Sequence, residues 1–208
     1  MSQTKFWKNK SKLQIKAKPN YFAIKSYNLI KNKKYSTLLD LGCGRSGDSL
    51  FYAKKGYNIT AFDVSKNRIL ALDDEVKRLG IHNIKLVVGD ISKLNFPNDS
   101  FDVIYAHLSL HYFNHVITEK VFKKLYKYTK KDGAFFVKVK STNDFKFGKG
   151  KKIGKNMYDY NGHIRHFFDK EYLQYLLGDW KEVTFRHTSS FYLDHGQKSK
   201  YIEAYAVK

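Results

Sequence analysis

The chain has 208 residues, enough for one domain with a full-sized core, and no run of about 18 apolar residues, so no membrane span is expected. The only cysteine, Cys43, excludes a disulfide framework and a cysteine zinc site; the Lys-rich stretch Met1–Lys18 lacks the apolar segment of a signal peptide, and a reducing, cytoplasmic setting is expected. The net charge of +20 invites a nucleic-acid partner, but the basic residues are 34 Lys against 5 Arg, with Asn, Ile, Tyr and Phe also plentiful, which is the pattern of AT-rich coding, and sequence-specific readers lean on Arg.

In chain order, residues 1–18 read as an N-terminal arm with Phe6 and Trp7 as aromatic anchors, and Tyr21–Lys33 as a helix. Thr37–Leu41 is a short apolar strand. It runs into a glycine turn (Gly42, Gly44, Gly47) and a helix over Ser49–Lys55 that Gly56 ends. The turn has the spacing G-x-G-x-x-G, a weak sign of a nucleotide-like ligand at a helix N-terminus. A second strand, Tyr57–Asp63, places Asp63 at its C-terminal end, where a carboxylate reaches the hydroxyls of a ribose. A helix follows over Ser65–Leu79, with Ser65 as its cap, then a third strand, Ile84–Val88, leading into Gly89-Asp90-Ile91.

The fourth strand, Phe101–Ala106, is followed by His107-Leu108-Ser109-Leu110-His111-Tyr112-Phe113. A helix over Thr118–Lys130, a turn at Lys131-Asp132-Gly133 and a fifth strand, Ala134–Val139, come next. Residues 140–168 show little regular pattern and read as a long substrate loop that holds Tyr158, Tyr160, His163, Arg165 and His166. A helix capped by Asp169 and two strands, Trp180–Tyr192 and Lys200–Val207, close the chain as an antiparallel pair. The alternation of strands and helices predicts an α/β fold, doubly wound and Rossmann-like, with one domain over residues 1–208.

Four ordered motifs carry a resemblance: Leu39-Asp40-Leu41-Gly42-Cys43-Gly44, Asp63, Gly89-Asp90-Ile91 and Phe101-Asp102-Val103-Ile104. From about residue 35 onward the chain resembles class I S-adenosylmethionine-dependent methyltransferases. Asp48 to Ala53 with Gly56-Tyr57 is also similar to the small-molecule branch that includes the tellurite-resistance and thiopurine enzymes, although Arg45-Ser46-Gly47 departs from its usual glycine turn. The resemblance implies a mostly parallel seven-stranded sheet with a C-terminal antiparallel pair. It implies S-adenosylmethionine as cofactor, held by Asp40, Gly42, Cys43, Gly44, Arg45, Asp63, Val64, Asp90, Ile91 and His107. It disfavours NAD, which would share the glycines and Asp63 but not Gly89-Asp90-Ile91.

On this reading methyl transfer to a small-molecule acceptor is expected, with His111, His163, His166 and Tyr112 as the catalytic candidates. Histidine titrates near neutral pH and can take a proton from the acceptor. His111, Tyr160, His163, Arg165 and His166 are the substrate-binding candidates, Arg165 being suited to a carboxylate or phosphate. No histidine spacing matches a strong metal pattern. RNA is the competing acceptor: Lys146, Lys149, Lys151, Lys152 and Lys155 form a possible phosphate track, but the Pro-Pro-aromatic motif of base amino-methylating enzymes is missing after the fourth strand.

Overall fold

The computed structural model describes residues 18–192 and 196–208; the arm residues Phe6 and Trp7 lie outside them. Helix α1 (Tyr21–Ile30) precedes strand β1 (Thr37–Leu41), and α2 (Gly47–Lys54), β2 (Asn58–Asp63), α3 (Lys66–Arg78) and β3 (Ile84–Val88) follow. Strand β4 (Phe101–His107), α4 (His115–Tyr128) and β5 (Thr129–Lys140) complete the parallel part. Then come three four-residue strands, β6 (Lys151–Gly154), β7 (Met157–Tyr160) and β8 (His163–His166), helix α5 (Lys170–Leu176) and the hairpin of β9 (Glu182–Tyr192) and β10 (Gln197–Val207).

The main sheet has the order β3-β2-β1-β4-β5-β10-β9. Strands β3 to β5 run parallel, while β10 is inserted antiparallel between β5 and β9. This is the expected α/β architecture with its antiparallel C-terminal pair. The strand order reverses between β1 and β4, so the crevice at their C-terminal ends is where a ligand is expected in such a sheet.

Both faces of the sheet are covered. Along β1, Leu39 and Leu41 enter the core formed with Val121 and Phe122 of α4 and Leu173 of α5. Leu38 enters the opposite core, with Phe22 of α1, Leu50 of α2 and Ile69 and Leu72 of α3. Period-two alternation therefore puts buried Asp40 on the side of α1 to α3.

Two stretches differ from the expectation. Lys131-Asp132-Gly133 lies inside β5 as a bulge, with Asp132 in the left-handed region (φ 59°) and a register shift opposite Phe101 and Val103. Residues 140–168 are not an open loop, because 151–166 form a three-stranded antiparallel sheet, β6-β7-β8. Asn161-Gly162 closes the second hairpin with φ of 55° and 75°, the backbone of a two-residue turn that matches strand twist.

Candidate active site

The crevice holds a cavity of about 590 Å³. All ten residues that the resemblance assigned to the cofactor line it: Asp40, Gly42, Cys43, Gly44, Arg45, Asp63, Val64, Asp90, Ile91 and His107. Tyr112 and Phe113 complete the wall beyond β4. Asn20, Asp48 and Arg68 also line it. Asp48 was legible as an acid in the first turn of a helix; Asn20, 28 residues upstream, carried no local signal.

The loop after β1 is locked from three sides. Gly42 and Cys43 both donate their N–H to the Phe62 carbonyl, at 2.7 and 3.0 Å. A Cβ on Gly42 (φ 79°) would stand 2.4 Å from the Ser109 Cβ, so only glycine fits where this loop meets the loop after β4. Ser109 Oγ in turn donates to the Leu41 carbonyl at 2.5 Å. Beside it, Leu108 sits at φ 56°, a strained conformation for a residue with a branched side chain, at the point where the chain turns along the cavity.

Asp63 holds the far side of this loop. One carboxylate oxygen accepts the Gly44 N–H at 2.9 Å and the other the Ser65 N–H at 2.9 Å. Arg68 Nη1 lies 3.9 Å away. Ser65 occupies the cap position of α3, but its hydroxyl makes no cap bond. Asp90 caps a short turn over Ile91–Lys93 by accepting the Ser92 N–H (2.9 Å) and hydroxyl (2.7 Å), and its carboxylate still borders the cavity.

At the other end Asp48 ties α1 to the loop. It accepts the Asn20 backbone N–H at 2.6 Å, the Asn20 amide at 2.8 Å and the Tyr105 hydroxyl at 2.9 Å. Asn20 Nδ2 also lies 3.2 Å from His107 Nδ1; with that nitrogen accepting, the His107 proton is on Nε2. Buried Asp40 accepts from the Ser49 hydroxyl at 2.5 Å. Burial, and then the Asp48 charge, push the Asp40 carboxyl up to about 8.

The donor set can be tested against the implied cofactor. Four carboxylates, Asp40, Asp48, Asp63 and Asp90, line a cavity in a chain of net charge +20. Such a lining suits a ligand that carries a cationic amine and a sulfonium together with ribose hydroxyls and an adenine amino group. The residues therefore fit S-adenosylmethionine.

The acceptor-side candidates separate. Tyr112 lines the cavity, and His163 stacks on it with ring centroids 5.5 Å apart at 18°. Arg165 Nη2 donates to His163 Nδ1 at 2.9 Å. Arg165 and Tyr160 line a second cavity of about 220 Å³. Period-two alternation along β8 sends His166 to the opposite face from His163 and Arg165.

There His166 is fully buried against His115, Phe168 and Tyr172 and lines neither cavity. Its Nδ1 donates to the Phe113 carbonyl at 3.0 Å, and burial pulls its imidazolium down to about 4. His111 is also buried, and its Nδ1 has no hydrogen-bond partner among the described residues. Burial, then the charges of Lys140 and Arg165, hold His111 well below the usual histidine range. The backbone N–H of His166 donates to the His111 carbonyl at 3.0 Å, which joins β8 to the loop after β4.

Comparison with known proteins bears on the domain and the fold. Residues 38–133 match a family model described as a methyltransferase domain. A sterol 4-C-methyltransferase of Caenorhabditis elegans is 33% identical over 109 residues, 51% of this chain and 32% of that protein. A demethylmenaquinone methyltransferase of Listeria welshimeri is 30% identical over 79 residues, 36% of this chain and 34% of that protein. The chain thus matches about a third of the length of these two relatives.

Among solved structures, an S-adenosylmethionine-dependent methyltransferase from Methanosarcina mazei superposes with a TM-score of 0.70 at 23% identity, covering 88% of this chain and 97% of the other. TehB from Haemophilus influenzae gives 0.70 at 18% identity, covering 91% and 62%. The chain has the class I S-adenosylmethionine-dependent methyltransferase fold, and its residues 38–133 match the methyltransferase-domain family model.

Proposed function

We propose that this protein transfers a methyl group from S-adenosylmethionine to a small-molecule acceptor. The observation that carries the reading is the acid-lined 590 Å³ cavity at the β1/β4 switch point, with its glycine loop clamped by Asp63. The cofactor supplies a methyl group already activated by a positively charged sulfur, so the protein's main task is to hold two reactants in line.

Each station of the lining has work suited to it. Asp63 gives one lone pair of each oxygen to the backbone and has others for ribose hydroxyls. Asp90 and Ile91 offer an acceptor and an apolar surface to adenine. Asp48 sets a negative field beside the loop, and Asp40, protonated in the free protein, can ionise to join it when an ammonium group binds. Asn20 closes that end from α1, and Tyr112 and Phe113 keep water from the acceptor side.

An oxygen or nitrogen acceptor meets Tyr112 on the cavity wall, and His163, stacked on Tyr112, positions it rather than acting as the base. The Arg165 bond fixes His163 Nδ1 as an acceptor and puts its proton on Nε2. His111, neutral and buried behind them, supports this wall, and His166 anchors His111 through its backbone. The name of a Listeria relative, a demethylmenaquinone methyltransferase, and the named co-crystal of a Burkholderia thailandensis 1,6-didemethyltoxoflavin-N1-methyltransferase support a small-molecule acceptor. A buried, unpaired Cys43 thiol in the loop suits a reducing cytoplasm.

Calorimetric titration with S-adenosylhomocysteine tests the reading. Saturable binding that is weakened at least tenfold by Asp63→Ala is expected. No binding by the folded wild-type protein would refute it.

A further inference from the structure

The second cavity lies on the β6-β7-β8 sheet, away from the glycine loop. Arg165 and Tyr158 form a cross-strand pair, and Tyr160 and His163 form the next, so one face of the hairpin carries all four side chains. Arg165, Lys146 and Lys149 supply cations to the cavity, and Phe145, Tyr158 and Phe167 supply aromatic surface.

Among the described residues no carboxylate lines it. Two acids adjoin lining residues in sequence: Asp159, between Tyr158 and Tyr160, alternates to the other face of β7, and Asp144 is buried and engaged, accepting from Lys140 Nζ at 2.8 Å and from the backbone N–H groups of Lys146 (3.0 Å) and Lys200 (2.8 Å). Burial, followed by the charges of Arg165 and Lys140, lowers the Lys146 ammonium from its ordinary value. The cavity is coupled to the first one by contact, since Arg165 holds His163 and His163 stacks on Tyr112. Its 220 Å³ is the space of roughly seven waters at about 30 Å³ each, enough for a compact anion on a ring.

We propose that this cavity is an anion subsite: Arg165, Lys146 and Lys149 take a carboxylate or phosphate group of the acceptor, and the aromatic walls take the apolar body that bears it. The inference rests on the methyl-transfer reading for the word acceptor; the anion site stands on its own residues. Arg165 provides the planar, two-pronged contact and the lysines add point charges. An anion bound there pulls on the same guanidinium that fixes His163, so recognition of the acceptor and orientation of the His163–Tyr112 stack share one residue.

The test is a titration of the full chain with phenyl phosphate and, separately, benzoate, followed by ¹H–¹⁵N chemical shifts, with benzyl alcohol as the neutral control. Saturable shifts at Tyr158, Arg165 and Gln197 with at least one anion, little response to benzyl alcohol, and a fivefold or greater loss in Arg165→Gln and in the exposed-site variant Lys149→Gln are expected. Which anion binds more tightly separates a phosphate from a carboxylate acceptor.

Failure of both anions while S-adenosylhomocysteine still binds overturns the subsite and leaves the methyltransferase reading intact. Anion binding without S-adenosylhomocysteine binding overturns the link to an acceptor. Tight, salt-steep binding of a single-stranded RNA 20-mer at these residues, with neither small anion bound, overturns the small-molecule assignment in favour of a polyanion.

Discussion

Asp63 and Gly44 are joined by a 2.9 Å hydrogen bond from the glycine N–H to the carboxylate, so the acid that ends β2 is also the clamp on the loop that follows β1. Ligand contact and loop geometry are therefore coupled in a single side chain. Asp63→Ala leaves two backbone N–H groups, of Gly44 and Ser65, without their acceptor. A loss of about 1–3 kcal/mol in urea-unfolding stability is expected alongside the loss of S-adenosylhomocysteine affinity. Asp63→Asn keeps one acceptor oxygen, so its stability loss should be smaller than that of Asp63→Ala.

Gly42 is replaceable only at high cost. Gly42→Ala meets the Ser109 Cβ and must hold φ near 79°, so a loss of roughly 2–5 kcal/mol is expected from clash and backbone strain together. Ser109→Gly in the same chain removes the clash but not the strain and should restore part of the loss. Ser109→Ala keeps the Cβ and should restore none. Thermal melts of the three variants check this.

Much of this site is written in the sequence because short-range rules govern it. Apolar strands, a glycine turn and acids at strand ends point to Gly42, Gly44, Asp63, Asp90 and Ile91 without any knowledge of tertiary contacts, and the family resemblance adds Asp40, Cys43, Arg45, Val64 and His107. The part that was not legible depends on pairing between distant segments. Asn20 reaches the cavity only because Asp48 and His107 receive it.

Residues 151–166 read as loop because their strands have four residues each and lysines and glycines mask the alternation. Asn161-Gly162 was the available signal. Once β8 is recognised as a strand, His163 and His166 separate by their odd spacing. The cluster that looked like one acceptor patch then becomes a histidine stacked on Tyr112 and a buried anchor.

Ligand affinity should depend on pH through Asp40. Its carboxyl is raised to about 8 against an ordinary value of 3.8, so the free protein holds the Asp40 proton through that interval. A ligand carrying an ammonium group favours the ionised form, so binding should release a proton and S-adenosylhomocysteine affinity should rise from pH 6 to pH 8. Asp40→Asn should flatten that rise. The same shift makes the folded state lose stability as pH rises from about 4 to about 8, and Asp40→Asn should remove that slope in urea titrations.

His166 acts in the opposite sense. Its value near 4 lies below the ordinary 6.5, so the unfolded chain binds its proton more readily than the folded one. The stability it contributes is complete above pH 6.5 and is lost as pH falls towards 4, by up to about 3 kcal/mol. Protonation would place a charge on Nε2, which is buried with no partner among the described residues. His166→Gln, measured by urea unfolding between pH 4 and 7, should show a shallower acid slope than the wild type.

The central claim is methyl transfer to a small molecule from the Asp63-clamped cavity. The direct measurement is incubation of the protein with S-adenosylmethionine labelled in its methyl group and an extract of its own cells, followed by separation of low-molecular-weight metabolites, RNA and protein. Label in the metabolite fraction with wild-type protein, and its loss with Asp63→Ala, is the predicted result. Label confined to RNA, or no transfer to any fraction from a protein that binds S-adenosylhomocysteine, would contradict the account.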